Sequence, residues 1–242
     1  MSQINQEKYQ LNTKQAGEAV EFLTSLSEKS VNVAFLDPQY EKVANVVHVN
    51  YPLNFQTDYQ IQQILKEISR VLKPSGFLFL WVNKALLGSD RIVNWLLQAP
   101  GLKIVDSLVW YKKGTLGLGA WLRSNAEFCF VLQNHPTNSK LFTNRSFGSV
   151  WEEASLSTQR RDHPHQKPFF LIKSLLEATT QEGDLVIDPC AGSFVVLEAC
   201  QSIGRQFLGV DLTYQQLAEF KEQREREREQ NWTAVIVNKH GK

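Results

Sequence analysis

Short apolar runs, each closed by turn residues and separated by amphipathic stretches of helical period, constrain this chain more than any other feature. Val31 to Leu36, Phe77 to Val82, Leu185 to Ile187, Gln206 to Val210 and Ala234 to Val237 read as buried strands. Tyr59 to Leu72 sets Ile61, Ile64, Leu65, Ile68 and Leu72 on one helical stripe and stops at Lys73-Pro74-Ser75-Gly76. Phe169 to Thr179 repeats the pattern before Glu182-Gly183-Asp184. This alternation predicts an α/β fold, a doubly wound and mostly parallel sheet with helices on both faces. Ile104 to Tyr111 and Phe128 to Gln133 flank a polar stretch and predict an antiparallel pair at one edge. With 242 residues and neither a repeat nor a clear linker, a single domain over 1–242 is expected.

Composition excludes more than it assigns. The net charge of +1 gives no global basic signature, so a nucleic-acid surface must be local. The densest apolar run, Phe77 to Val82, falls far short of the roughly 20 residues that cross a bilayer, so no membrane association is expected. The N-terminal MSQINQEKYQ does not resemble a secretory signal. Cys129, Cys190 and Cys200 have no metal-ligand spacing and read as reduced, mostly buried thiols, which points to the cytoplasm and to no metal. The charged run Glu219 to Gln230 reads as a solvated helix face. Asn134 to Gln166 is polar and contains prolines, and its weak periodicity suggests a functional or disordered loop.

Two loops carry candidate chemistry. Asp188-Pro189-Cys190-Ala191-Gly192-Ser193 ends one strand and opens into the helical stretch Val195 to Ser202, a small-residue turn suited to cradling a ligand. Downstream, Asp211 closes another strand. It can accept hydrogen bonds from ribose hydroxyls, and it can equally cap a helix over Thr213 to Phe220. Asp37-Pro38-Gln39-Tyr40 ends the first strand. Its carboxylate and the Pro38 carbonyl can accept the two N–H groups of an exocyclic amine, and Tyr40 can stack on a base. On its own, a strand-end Asp-Pro is also ordinary turn chemistry.

Taken together these words resemble the amino-methyltransferase family of DNA methyltransferases, whose signature is Asp-Pro-Pro-Tyr with a Gly-rich cofactor loop. Asp37 preceding the loop at 188–193 resembles the permuted β group of that family. His163-Pro164-His165-Gln166-Lys167-Pro168 is similar to its cofactor-binding segment. Arg70 to Gly76, Trp110-Tyr111-Lys112 and Gly204 to Asp211 fall where family members carry similar words. The resemblance implies a seven-stranded Rossmann-like sheet, S-adenosylmethionine as cofactor, and transfer of its methyl group to the amine of a flipped base, adenine being suggested by Asp at position 37.

By the same resemblance Asp37, Pro38 and Tyr40 are the expected catalytic residues, and Lys167, Pro168, Asp188, Cys190, Gly192, Ser193 and Asp211 the expected cofactor contacts. Gln39, Lys112, Arg123, Arg160 and Arg161 are expected to meet DNA, with 134–162 as the candidate target-recognition loop, acting alone, in a homodimer or with a partner subunit. Two positions depart from the family pattern. Gln39 replaces the second proline and removes the restraint that aims the Pro38 carbonyl. Phe194 replaces a glycine, and its bulk is expected to narrow the cofactor approach. The alternatives are therefore a methyltransferase of RNA or protein and a non-catalytic subunit on the same fold.

Overall fold

The computed structural model describes residues 8–40, 55–117, 121–155 and 166–215. In chain order these form α1 (Ala19–Thr24), β1 (Val31–Leu36), α2 (Asp58–Val71), β2 (Leu72–Val82), α3 (Arg91–Leu96), β3 (Leu102–Tyr111), β4 (Ala126–Asn134), β5 (Val150–Glu152), α4 (Phe169–Thr179), β6 (Leu185–Asp188), α5 (Val195–Ser202) and β7 (Gln206–Gly209). Seven strands make one sheet in the order β5-β3-β4-β2-β1-β6-β7. Only β4 runs against its neighbours; the other six run parallel to one another.

Helix α2 shows how the chain specifies its elements. Thr57 and Gln60 form a reciprocal capping box that satisfies first-turn amides. The stripe Ile61, Ile64, Leu65, Ile68 and Val71 is buried on one sheet face with Leu78, Leu80 and Trp95. Helices α4 and α5 cover the other face, packing Leu171, Leu175, Val196 and Cys200 against Phe79, Trp81 and Val186. Each such side chain contributes about 1.5–3 kcal/mol when removed from water.

The structure adds to three expectations. The helix stops before Lys73 to Gly76 as expected, and these residues lie within β2, because Leu72 already pairs with Val31. The four residues bulge out of β2 before Phe77 pairs with Val33, with Ser75 at φ 61°. The expected antiparallel pair forms, but a further strand, β5, lies outboard of β3. The stretch from Asn134 to Glu153 is also no free loop. Phe142, Phe147 and Trp151 pack in sequence on one another and against the core. Its polarity masked three spaced aromatics that anchor it.

The Ala234 to Val237 strand, the Glu219 to Gln230 run, most of the Thr213 to Phe220 helix, and Arg160 and Arg161 lie outside the described residues. Among the described residues, no helix is long and apolar enough to cross a membrane.

Candidate functional site

The parallel strands end at one edge of the sheet, and the loops after β1 and β6 meet there. Asp37, Pro38, Gln39 and Tyr40 share a cavity of about 480 Å³ with Asp188, Cys190, Gly192 and Ser193. The two motifs therefore face one space, although about 150 residues separate them in sequence.

The four residues after β1 that are described, Asp37 to Tyr40, are firmly held. The Gln56 amide donates to the Gln39 carbonyl at 2.6 Å, and Tyr40 bridges Gln56 in parallel. This backbone pairing supplies the restraint that a proline at position 39 would have given. The Pro38 carbonyl accepts from the Tyr40 amide at 3.1 Å, and its second lone pair remains for another donor. The Tyr40 hydroxyl accepts from the Asn83 amide at 2.6 Å, and its ring sits 5.8 Å from Trp95 and 5.9 Å from the Arg91 guanidinium. Asp58 fixes that brace by accepting from Arg91 Nε at 3.0 Å and Trp95 Nε1 at 2.8 Å. Burial, above all, raises the Tyr40 phenol well beyond its usual value, so it stays neutral.

The cofactor loop is held from the opposite side. Gly192 takes φ 50°, which favours glycine, and its amide donates to Asp211 Oδ2 at 2.9 Å. Asp211 Oδ1 accepts from the Thr213 amide at 2.9 Å and its hydroxyl at 2.7 Å. Asp211 thus ties the turn that follows it and also clamps the glycine loop. Asp188 is buried and accepts from the Cys190 amide at 3.0 Å. Burial raises the Asp188 carboxyl well above the usual range, and the nearby Asp37 and Asp211 raise it further.

Phe194 overturns the expectation of a narrowed cofactor approach. It adopts the positive φ of 61° that a glycine would take, yet its ring turns into the core between Phe207 and Tyr214 and is absent from the cavity wall. The strained backbone costs about 1–2 kcal/mol, while loss of a buried ring costs about 3–5. Phe194→Gly is therefore expected to lower stability by roughly 1–4 kcal/mol in urea unfolding, the difference of these two effects. Unchanged or raised stability would show that the ring contributes nothing.

The structure distributes the expected basic residues differently from the sequence reading. Lys167 is buried and ion-paired to Asp37 and to Glu127, the latter at 2.9 Å, with its ammonium 5.1 Å from the Trp81 ring. It therefore stands on the Asp37 side of the cavity. Lys112 pairs with the same Glu127, and Arg123 donates to the Gly117 carbonyl at 2.7 Å, so both are engaged within the protein. Pro168 begins α4 without a side-chain cap; Glu153 Oε2, from the end of β5, accepts from the Leu171 amide at 3.1 Å instead.

Sequence reading missed Glu127, Trp81, Gln56 and the N-terminal stretch. Glu127 had left a signal, a lone acid leading an apolar strand. Gly17 had left none, because the approach of its backbone to Val210 is visible only in three dimensions: a Cβ there would meet Val210 Cγ1 at 2.9 Å.

A second cavity of about 120 Å³ joins Gly17, Glu18, Gln56, Cys190 and Asp211 beside the first. Among the described residues, Gln56 Oε1 is buried there without a hydrogen-bond partner, an acceptor open to a donor. Three carboxylates, Asp37, Asp188 and Asp211, surround the loop. That set suits a cofactor carrying ribose hydroxyls, an amino group and a sulfonium cation.

A parallel sheet with one reversed strand, ending in a carboxylate-rich cradle beside the Asp37-Pro38-Gln39-Tyr40 loop, fits an S-adenosylmethionine-dependent methyltransferase. The family model described as DNA methylase matches residues 31–222, and the chain belongs to this N6/N4 amino-methylating family. Type II methyltransferase M.HhaII of Haemophilus parahaemolyticus is 36% identical over 215 residues, which cover 84% of this chain and 92% of the relative. Among solved structures, the M1.HpyAVI–SAM complex matches with TM-score 0.62 at 16% identity, over 82% of this chain and 92% of that one. The cytosine-N4-specific PvuII DNA methyltransferase matches with TM-score 0.62 at 13% identity, over 85% of each chain. These two likenesses are of fold. The chain is thus a DNA methyltransferase.

Proposed function

We propose that this chain methylates N6 of adenine in DNA, on a base turned out of the helix into the 480 Å³ cavity. The observation that carries the reading is the convergence of Asp37, Pro38 and Tyr40 with the Gly192 loop on that one space. Bound there, the cofactor supplies an electrophilic methyl group. Asp37 accepts one amine N–H and the Pro38 carbonyl the other, which concentrates electron density on the attacking nitrogen and favours its developing positive charge. The Tyr40 ring, braced on Trp95 and Arg91, holds the base plane. Asp37 would hold the positive charge that develops on the nitrogen as its bond to the methyl group replaces the C–S bond, and would pass the proton then lost to solvent. Asp211, Gln56 and the Gly192 loop would hold the nucleoside end of the cofactor and Asp188 its cationic part, with Ser193 and Cys190 lining the cavity and Pro168 acting from behind it, at the start of α4.

For DNA contact the reading favours Trp121, 97% exposed on the β3–β4 loop. It lies three residues before Ser124, which lines the cavity, and Lys84, another lining residue, holds the Leu122 carbonyl at 2.8 Å. Gln39 lines both cavities and reaches the base. Sequence readout is assigned to 134–162, whose part from Phe142 to Trp151 is anchored on the core, and Arg160 and Arg161 are assigned to phosphate contact. A second copy of the chain would supply a further DNA-binding surface. The proposed setting is a cytoplasmic restriction-modification system.

The test is to offer tritiated S-adenosylmethionine to the protein with separate pools of duplex DNA, RNA and peptides. Label entering DNA alone supports the reading. Label entering RNA or peptides, or no pool at all, refutes it.

A further inference from the structure

The ion cluster behind Asp37 contains one residue that none of the motifs includes. Glu127 opens β4, and its two oxygens are divided between two lysines: Oε1 on Lys112, and Oε2 on Lys167 at 2.9 Å. Lys167 in turn reaches Asp37 Oδ2. The order across the site is therefore Lys112, Glu127, Lys167, Asp37, two cations and two anions whose charges cancel. Among the described residues, the carboxylates within ion-pair distance of the Lys167 ammonium are these two. Its other near neighbour is the face of Trp81, which stabilises a cation but accepts no conventional hydrogen bond.

While Lys167 holds Asp37 Oδ2, that oxygen is not free for an incoming amine. We propose that Glu127 is a positioning residue for methyl transfer, retaining Lys167 so that Asp37 Oδ2 is released to the base amine. The inference rests on the reading of Asp37 as the amine acceptor. Burial opposes charge on Glu127, but Lys167 and Lys112 outweigh it and hold the carboxyl down at about 2, so it is a permanent anion in the working range. Lys112 fixes the far oxygen and sets the direction of the near one. When the amine enters, Lys167 stays paired to Glu127, and Asp37 Oδ2 faces the nitrogen on which positive charge develops. Glu127 touches neither the base nor the cofactor in this account.

The test compares Glu127→Gln with the double variant Glu127→Gln/Lys112→Met on labelled DNA under saturating cofactor. The glutamine preserves shape and removes the charge, leaving Lys167 clamped on Asp37. The expected result is a fall in kcat of about 10–100-fold with the KM for cofactor within about threefold of the parent, the scale of a misplaced catalytic group. A structural role, merely neutralising Lys112, predicts that the double variant recovers kcat; the proposal predicts recovery of melting temperature without recovery of kcat. Glu127→Asp, which keeps the charge but shortens its reach, is expected to fall between parent and glutamine, and it stands in if the glutamine variant does not fold. A kcat within threefold of the parent in Glu127→Gln, or in Glu127→Asp where the glutamine variant does not fold, overturns the proposal, as does rescue of kcat in the double variant. No transfer by the parent enzyme overturns the functional reading, and this inference with it.

Discussion

Asp37→Ala is expected to lower methyl transfer to DNA by about 10²–10³-fold or more while cofactor affinity changes only a few-fold. The magnitude follows from removing one preorganised partner of the charge that develops at the attacking nitrogen, a loss worth about 2.7–4 kcal/mol in comparable sites. Affinity is largely spared because the cofactor's proposed anchors, Asp211, Gln56 and the Gly192 loop, are held by other groups. Folding is spared as well: Lys167 keeps Glu127 as a partner, so no buried cation is stranded. Radiolabel transfer gives the first quantity and titration calorimetry the second. A variant that retains a tenth of the parental rate would show that Asp37 is turn chemistry only.

The second large effect is expected at Asp211. Alanine there removes the acceptor of the Gly192 amide and of both Thr213 donors, all in a buried setting. Leaving such donors unsatisfied costs about 1–3 kcal/mol, and the lost cofactor contact adds a further increment. Cofactor affinity should fall by about 100-fold or more, some 2.7 kcal/mol. The rate at saturating cofactor should stay near the parental value, because the amine-accepting loop is built from other residues. An equal loss of kcat and kcat/KM would instead place Asp211 in the chemistry of transfer.

The parts of the fold legible in the sequence are those where one physical signal decides. The strand ending at Leu36, the stripe of α2 and the helix α4 follow from burial on one side or both, and burial writes itself into residue order. The β5 strand was not legible. Three residues paired at an edge give no periodicity, and the aromatics that anchor the approach to it are spaced by contacts rather than by period.

The same contrast runs through the site. Asp37, Gly192 and Asp211 stand at strand ends, where backbone geometry alone brings ligands and side chains together. Lys167 was placed by its family word and Lys112 by its charge, and neither says which partner a cation finds. A buried carboxylate, Glu127, claims both. Phe194 teaches the converse. The backbone kept the glycine-like conformation that the family word demands, and the added ring was absorbed by the core.

The central claim, that the loop after β1 delivers an exocyclic base amine to the cofactor, is tested most directly by identifying the methylated nucleoside. DNA modified by the purified protein is hydrolysed enzymatically and its nucleosides are resolved by mass spectrometry beside the Asp37→Ala product. The account predicts N6-methyldeoxyadenosine from the parent and its loss in the variant. N4-methyldeoxycytidine would contradict the assignment of adenine, and a methyl group on a ring carbon, or one that persists without Asp37, would contradict the claim itself.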